Sequence, residues 1–224
     1  MTMADHDIQH GLMVDYVSGS LPQPLALLVA SHVSLNNDAK KSYQILSEVG
    51  GNLLEDTDGV SMNSSLGDFL DTLDSIPQDA PKSVKNTITA APSLASEPIL
   101  PAPLQNHIQL DMEEISWKAR GAGVKEFTLP ISEKGLKASL LKVEPGSKIP
   151  DHTHEGHEYT LILDGVFIDG THHYERGEFV CNDQNDTHSP EACPDNGCIC
   201  FVVQDAPLKF KGLLGFLINP FLKM

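Results

Sequence analysis

The 224-residue sequence predicts an α+β multidomain fold, with a small N-terminal helical domain and a C-terminal antiparallel β-barrel of the jelly-roll type. Apolar side chains recur at helical spacing up to about residue 75. Residues 76–107 hold six prolines among Ala, Ser and Thr, which is typical of an extended linker. Short β-rich runs then follow between Gly, Pro, Asp and Asn residues. We therefore expect a helical domain at 1–75, a linker at 76–107, a barrel at 108–212 and a tail at 213–224.

The first third of the chain predicts amphipathic helices that need a covering surface. One helix is expected to begin at Ser20 to Pro22 and to end at Gly50-Gly51, because helices favour such residues at their ends. A later helix, Ser64 to Leu73, carries its apolar side chains on one side, and these are Leu66, Phe69, Leu70 and Leu73. Short one-sided helices are unstable alone, so they must pack together or against a partner.

The charge distribution narrows the possible partners. The formal net charge is -16, and residues 1–75 hold 11 Asp and Glu against two Lys. This charge argues against direct nucleic-acid binding, because neutralising phosphates needs clustered Lys and Arg. A basic protein surface is a better match. No apolar run approaches the ~20 residues of a membrane-spanning helix, and the start of the chain lacks the basic residues of a signal peptide, so we expect a cytoplasmic protein with no membrane contact.

Four residues have the pattern of a metal site. Residues two apart in a strand share a face, so His152, His154 and Glu158 can point to the same side. His188 lies about two short strands downstream, where a returning strand brings it close. Nitrogen and oxygen ligands of this kind suit Zn, Mn, Fe or Ni and are less suited to Ca or Mg. We predict one divalent ion, with zinc preferred, bound by these four side chains.

The spacing from Gly146 through these ligands to Gly165 resembles the first signature of the cupin superfamily, and His188 stands where the second signature has its histidine. The resemblance covers roughly residues 110–205 and implies a cupin barrel around the ion. It departs from the pattern at Glu175-Arg176-Gly177, where a Pro-x-Gly turn is usual.

The segment around His32 resembles the zinc-binding anti-sigma domain, whose pattern is His-x3-Cys-x2-Cys with a further histidine near the N-terminus. His6 and His32 match the two histidines, whereas Asn36 and Ala39 occupy the cysteine positions. Neither an amide nor a methyl group replaces a thiolate ligand. We therefore expect no zinc in the helical domain, and we expect His32 to be a packing residue that is hydrogen-bonded to a neighbour.

Taken together, the acidic helices, the linker and the His-x-His-x3-Glu barrel resemble the ChrR family of anti-sigma factors. This resemblance implies that the helices sequester an extracytoplasmic-function sigma factor and that the metal-bound cupin responds to oxidative stress such as singlet oxygen. The alternative is a metal-dependent cupin enzyme, of the dioxygenase or isomerase type, with a helical accessory domain. Catalysis is not the favoured interpretation, because four protein ligands close a site that an enzyme keeps open. A homodimer stays possible.

Overall fold

The fold is taken from a computed structural model that describes most of the chain. The described residues are 3–61, 63–77, 98–131, 133 and 135–210, without the side chains of 3–7, 74 and 210. The predicted tail and most of the predicted linker lie outside these residues.

Five α-helices lie in the described ranges. They are α1 (Met3–Val17), α2 (Gln23–Leu35), α3 (Asn37–Glu55), α4 (Leu66–Ser75) and α5 (Ala102–Ile108). Helix α5 occupies residues that their proline content placed in the linker. Pro101 and Pro103 stand at its start, where a missing N–H costs nothing and the fixed φ favours the first turn. No described helix is both long and apolar enough to cross a bilayer.

The β-strands of the described ranges follow the helices and pair in antiparallel fashion, as the sequence predicts. They are β1 (Lys118–Gly121), β2 (Val124–Thr128), β3 (Lys137–Val143), β4 (His152–His154), β5 (Glu158–Gly165), β6 (Phe167–Asp169), β7 (His172–Tyr174), β8 (Phe179–Asn182), β9 (Glu191–Ala192), β10 (Cys198–Gln204) and β11 (Leu208–Phe210). A six-stranded sheet has the order β1-β2-β3-β10-β5-β8, and it is accompanied by the smaller sheets β11-β4 and β7-β6-β9. The α+β fold class is confirmed.

The strands β5, β8 and β10 of the six-stranded sheet are buried on both faces, which explains the apolar runs of β5 and β10. Leu161 and Phe201 point to one face and pack in a cluster with Leu25 and Leu28 of α2 and Leu104 of α5. The alternate residues of the same strands pack on the other face, inside the barrel. A sheet covered by helices on one side and closed on the other leaves almost no polar face on its central strands.

The chain divides into two compact units, residues 1–50 with 98–224 and residues 51–97. The first unit therefore includes α1, α2 and the start of α3 together with all the strands. The second includes the end of α3 and the whole of α4. The domain boundaries given by composition, at residues 75 and 107, stay a prediction.

The helix expected between Ser20 and Gly51 is two helices with a break at Asn36. This residue adopts an extended backbone, and its Oδ1 accepts hydrogen bonds from the N–H groups of Asp38 and Ala39, both at 3.0 Å. An Asn in this position is a strong N-cap, so α3 starts anew there. The predicted stop at Gly50-Gly51 is wrong, since α3 continues to Glu55. The two glycines lower helix propensity without ending the helix.

Helix α2 is fastened to the turn between β7 and β8. The carbonyl oxygen of Gly177 lies 3.0 Å from His32 Nδ1 and 3.4 Å from Asn36 Nδ2. The predicted hydrogen bond of His32 is thus confirmed, with a partner on the barrel. In the same turn, the Arg176 guanidinium donates to the carbonyl oxygens of Pro98, Ile99 and Leu163. The turn that departs from the usual cupin sequence therefore holds both α2 and the chain segment that leads into α5.

Candidate metal centre

Three of the four predicted ligands meet inside the barrel. His152 and His154 share one face of β4, and His188 faces them from the loop after β8. Two backbone hydrogen bonds of 3.1 Å between His152 and His188 fix this register. The imidazoles are almost fully buried, and each offers a ring nitrogen within 4.8 Å of the other two. These three residues could hold a metal ion.

Hydrogen bonds on the far side of two rings settle which nitrogens face the centre as acceptors. His152 Nδ1 lies 2.9 Å from the carbonyl oxygen of Pro150, and His188 Nδ1 lies 2.7 Å from Asp169 Oδ2. A carbonyl and a carboxylate oxygen accept, so each Nδ1 carries the proton and donates it. In these tautomers, the Nε2 atom of each ring has a free lone pair that can bind a metal. This outer support of a histidine is usual in metal sites.

The spacing of these lone pairs fits an ion. His188 Nε2 lies 3.0 Å from His152 Nε2 and 3.1 Å from His154 Nε2. The Nε2 atoms of His152 and His188 are both unprotonated in these tautomers, so at 3.0 Å they repel each other unless a cation lies between them. In a tetrahedral zinc site with Zn–N bonds of ~2.05 Å, the nitrogens are about 3.3 Å apart. The donor set therefore fits a divalent metal after a shift of a few tenths of an ångström.

Burial favours the neutral, metal-binding form of His152 and His154. It lowers the pKa of His152 to about 4, with the neighbouring His188 acting in the same direction. It lowers the pKa of His154 to about 3, helped by His152 and then His188. Both imidazoles are thus neutral at pH 7, which is the form that coordinates a metal.

Glu158 lies beside the histidines, at the start of β5. Its side chain is buried, and its Oε2 is 3.9 Å from His154 Nδ1, too far for a hydrogen bond. Burial raises the pKa of this carboxyl to about 7, opposed by His188 and by a hydrogen bond with Thr160. A bound cation would favour the ionised carboxylate. The role of Glu158 as fourth ligand stays a prediction.

The helical region was predicted to hold no zinc. His32 and Asn36 are both within hydrogen-bonding reach of the Gly177 carbonyl, and Ala39 offers no ligand. The side chain of His6 lies outside the described part of the chain. The expectation of no metal in this region stays a prediction.

Two residues next to the site were not expected from the sequence. Asp169 ends β6 and orients His188, and Asn182 ends β8 opposite Glu158. Asp169 stands before a glycine and is typical of a hairpin turn, which hides its second role. Asn182 lies in a short run of apolar residues, and the polar residue in that run was the only available signal.

Comparisons with known proteins agree with this fold. A family model described as the ChrR cupin-like domain matches residues 105–207. The anti-sigma-E factor ChrR of Cereibacter sphaeroides is 33% identical over 220 residues, which cover 98% of this chain and 98% of that protein. The crystal structure of Rhodobacter sphaeroides SigE in complex with the anti-sigma ChrR matches with a TM-score of 0.72 and 30% identity, over 88% of this chain and 96% of that chain.

The similarity extends from the helices through the barrel and includes nearly the full length of the relative. The resemblance inferred from the His-x-His-x3-Glu spacing and the helical segment is confirmed. This chain belongs to the ChrR family of anti-sigma factors.

Proposed function

We propose that this protein sequesters an extracytoplasmic-function sigma factor through its helices and that its metal-bound cupin controls release. The solved relative is described as a complex of SigE with ChrR, which supports a partner of this class. Sigma factors act on RNA polymerase, so the proposed place of action is the cytoplasm. Sequestration needs a binding surface and no chemical step.

An exposed apolar ridge on α4 carries the proposal. Leu66 is 71% exposed, Phe69 53% and Leu70 49%, at the spacing of one helical face. Asp68 and Asp71 lie on the same short helix and make it acidic. An apolar ridge beside negative charge fits a groove on a basic partner, with contact area from the ridge and steering from the charge.

Replacing the ridge tests the binding surface. The triple variant Leu66→Ser, Phe69→Ser, Leu70→Ser should weaken binding of the co-expressed sigma factor from the same operon by about 100-fold or more, because central apolar contacts dominate such interfaces. Isothermal titration calorimetry gives the affinity. Val60→Ser is the matched control, since Val60 is also exposed but lies outside the ridge. Binding of the triple variant at wild-type strength would exclude α4 as the docking surface.

We also propose that the ion is zinc and that His152, His154, Glu158 and His188 bind it. The convergence of three buried imidazoles, with a buried carboxyl at their side, supports this set. When bound, zinc supplies a fixed positive centre that ties β4, β5 and the loop carrying His188 together. Damage to a ligand would remove that tie and shift the balance between bound and released sigma factor.

An oxidation experiment tests the control of release. The purified complex is illuminated with a photosensitising dye that generates singlet oxygen, and the free sigma factor is measured by size-exclusion chromatography. Wild-type protein with one zinc per chain should release its partner. His188→Ala should contain no zinc and should release the same fraction with and without light. The control His173→Ala, an exposed histidine on β7, should behave as wild type. Equal light-dependent release from all three proteins would overturn the role of the metal centre.

A further inference from the structure

Two buried polar atoms in the described part of the chain have no hydrogen-bond partner. They are His154 Nδ1 and Asn182 Nδ2. His154 belongs to the histidine cluster, whereas nothing so far explains Asn182, whose side chain is only 6% exposed. A buried amide without an acceptor is unfavourable, so such groups are rare in native proteins. Asn182 therefore calls for a functional explanation.

The strand register places Asn182 beside Glu158. The two residues are direct partners in the antiparallel pair of β5 and β8. Directly opposed residues have Cβ atoms about 4.5–5.5 Å apart on the same face of the sheet. The next residue of β8 on that face, Val180, packs with Ile162 in the cluster inside the barrel. The amide of Asn182 and the carboxyl of Glu158 thus share the interior face that holds the histidines.

Three aspartates near Asn182 have other hydrogen-bond donors, whereas the strand register places Glu158 directly opposite Asn182. Asn182 borders a cavity of about 450 Å³ that is also lined by His188 and by three aspartates. The aspartates accept hydrogen bonds: Asp169 from His188, Asp183 from Asn185, and Asp186 from the backbone of Asp183. Glu158 has four lone-pair positions, and it keeps acceptor capacity beyond its hydrogen bond with Thr160. The cavity leaves the Asn182 side chain room to change its rotamer, and Glu158 is the carboxylate opposite it on the same face.

We propose that Asn182 is a positioning residue of the metal centre. Its Nδ2–H group donates to one oxygen of Glu158 and leaves the other oxygen directed at the ion held by the three histidines. Ligating carboxylates are commonly held by such a donor. The inference rests on the proposed role of Glu158 as fourth ligand. It explains the presence of an amide at a buried position where its Nδ2 has no hydrogen-bond partner in the described part of the chain.

The variant Asn182→Leu separates this role from a structural one. Leucine has a similar size and removes the unsatisfied amide, so the metal-free protein should unfold at the same temperature as wild type or at a higher one. Zinc affinity, measured by competition with a chromophoric chelator, should fall by about 10- to 100-fold. The visible absorption of the cobalt-loaded protein should also change, because the orientation of the carboxylate affects the ligand field. Asn185→Leu, at an exposed residue lining the same cavity, should leave affinity and spectrum unchanged.

A double-mutant cycle with Glu158→Gln tests whether Asn182 acts through Glu158. In the Glu158→Gln background, Asn182→Leu should cause no further loss of zinc affinity. An equal loss in both backgrounds would overturn the inference, as would a single Asn182→Leu variant with wild-type affinity. A metal-free Asn182→Leu protein destabilised as much as the loaded one would also overturn it, since the role would then be structural. Unchanged affinity in Glu158→Gln itself would remove Glu158 as a ligand and would overturn the inference, whereas the proposal of sigma-factor binding would be unaffected.

Discussion

Helices α2 and α4 are both apolar on one side, yet the apolar side of α2 is buried and that of α4 is exposed. Leu28 of α2 is fully buried against the sheet, in the cluster that includes Leu161 and Phe201. Leu66 and Phe69 of α4 are largely exposed. The periodic pattern of a helix therefore shows that one face needs a cover, but it does not identify the cover. For α2 the barrel supplies it, and for α4 we propose that a sigma factor does.

The largest effect is expected when one leucine in each helix is truncated to alanine. Leu28→Ala should lower the free energy of unfolding by about 2–5 kcal/mol, because it opens a cavity in the shared core. Leu66→Ala, the matched change on α4, should alter it by no more than about 0.5 kcal/mol, as for other exposed positions. Chemical denaturation followed by tryptophan fluorescence gives both values. Equal changes in the free energy of unfolding would show that Leu28 and Leu66 are buried to the same degree.

A second test concerns the close approach of α2 to the barrel turn. Gly177 has φ +84°, and an added Cβ would lie 3.1 Å from the carbonyl oxygen of Leu35. Gly177→Ala should therefore cost about 1–2 kcal/mol for the left-handed backbone and about 1 kcal/mol or more for the crowded contact. Gly170→Ala is the control, because its φ is +58° and its added Cβ meets nothing within 4 Å. Thermal denaturation should separate the two variants; identical melting temperatures would show that α2 yields freely at this point.

The helix caps offer a smaller, paired test. Asn36 caps α3, and Ser65 forms a capping box with Asp68 at the start of α4. Removing either cap by substitution with alanine should cost about 1 kcal/mol of helix stability. Asn36→Ala should lower the melting temperature of the barrel, because it also removes the amide contact with Gly177. Ser65→Ala should leave that temperature unchanged and speed amide hydrogen exchange in residues 66–75. Exchange unaffected by Ser65→Ala would contradict a cap-dependent α4.

The smallest effect is the pH dependence of the α2 contact. Burial lowers the pKa of His32 from its usual value of 6.5, although its contact with the Gly177 carbonyl opposes this. The unfolded chain therefore binds a proton near pH 6.5 that the folded chain does not bind. The contribution of the neutral ring to stability is complete above about pH 6.5 and decreases as the pH falls below it.

His32→Gln should flatten this dependence between pH 7 and 5, in urea denaturation at a series of pH values. His173→Gln, at an exposed position on β7, is the control and should keep the wild-type slope. A His32→Gln protein that loses stability with acid as steeply as wild type would show that His32 does not titrate with unfolding.

The site was more predictable from the sequence than the packing around it. The shared direction of His152 and His154 follows from the alternation of one short strand, and the position of His188 follows from the spacing of the cupin signature. The three histidines converge because of the geometry of β4 and of one segment, carrying His188, that pairs with it. The burial of the apolar side of α2 depends on contacts between Leu28 and strands that come more than a hundred residues later. No local sequence pattern encodes such a contact. Asp169 lies beside His188, and Asn182 lies opposite Glu158, only because of the strand register, so neither position could be predicted from the sequence alone.

The order of strands in the large sheet has a consequence during synthesis. Strand β10 lies between β3 and β5, although it is made after both of them and long after α2. At translation rates of ~5–20 residues per second, the apolar face of α2 waits on the order of ten seconds for its permanent neighbours. Until Val203 has been synthesised, that face stays exposed on the nascent chain, as the apolar ridge of α4 does in the folded protein.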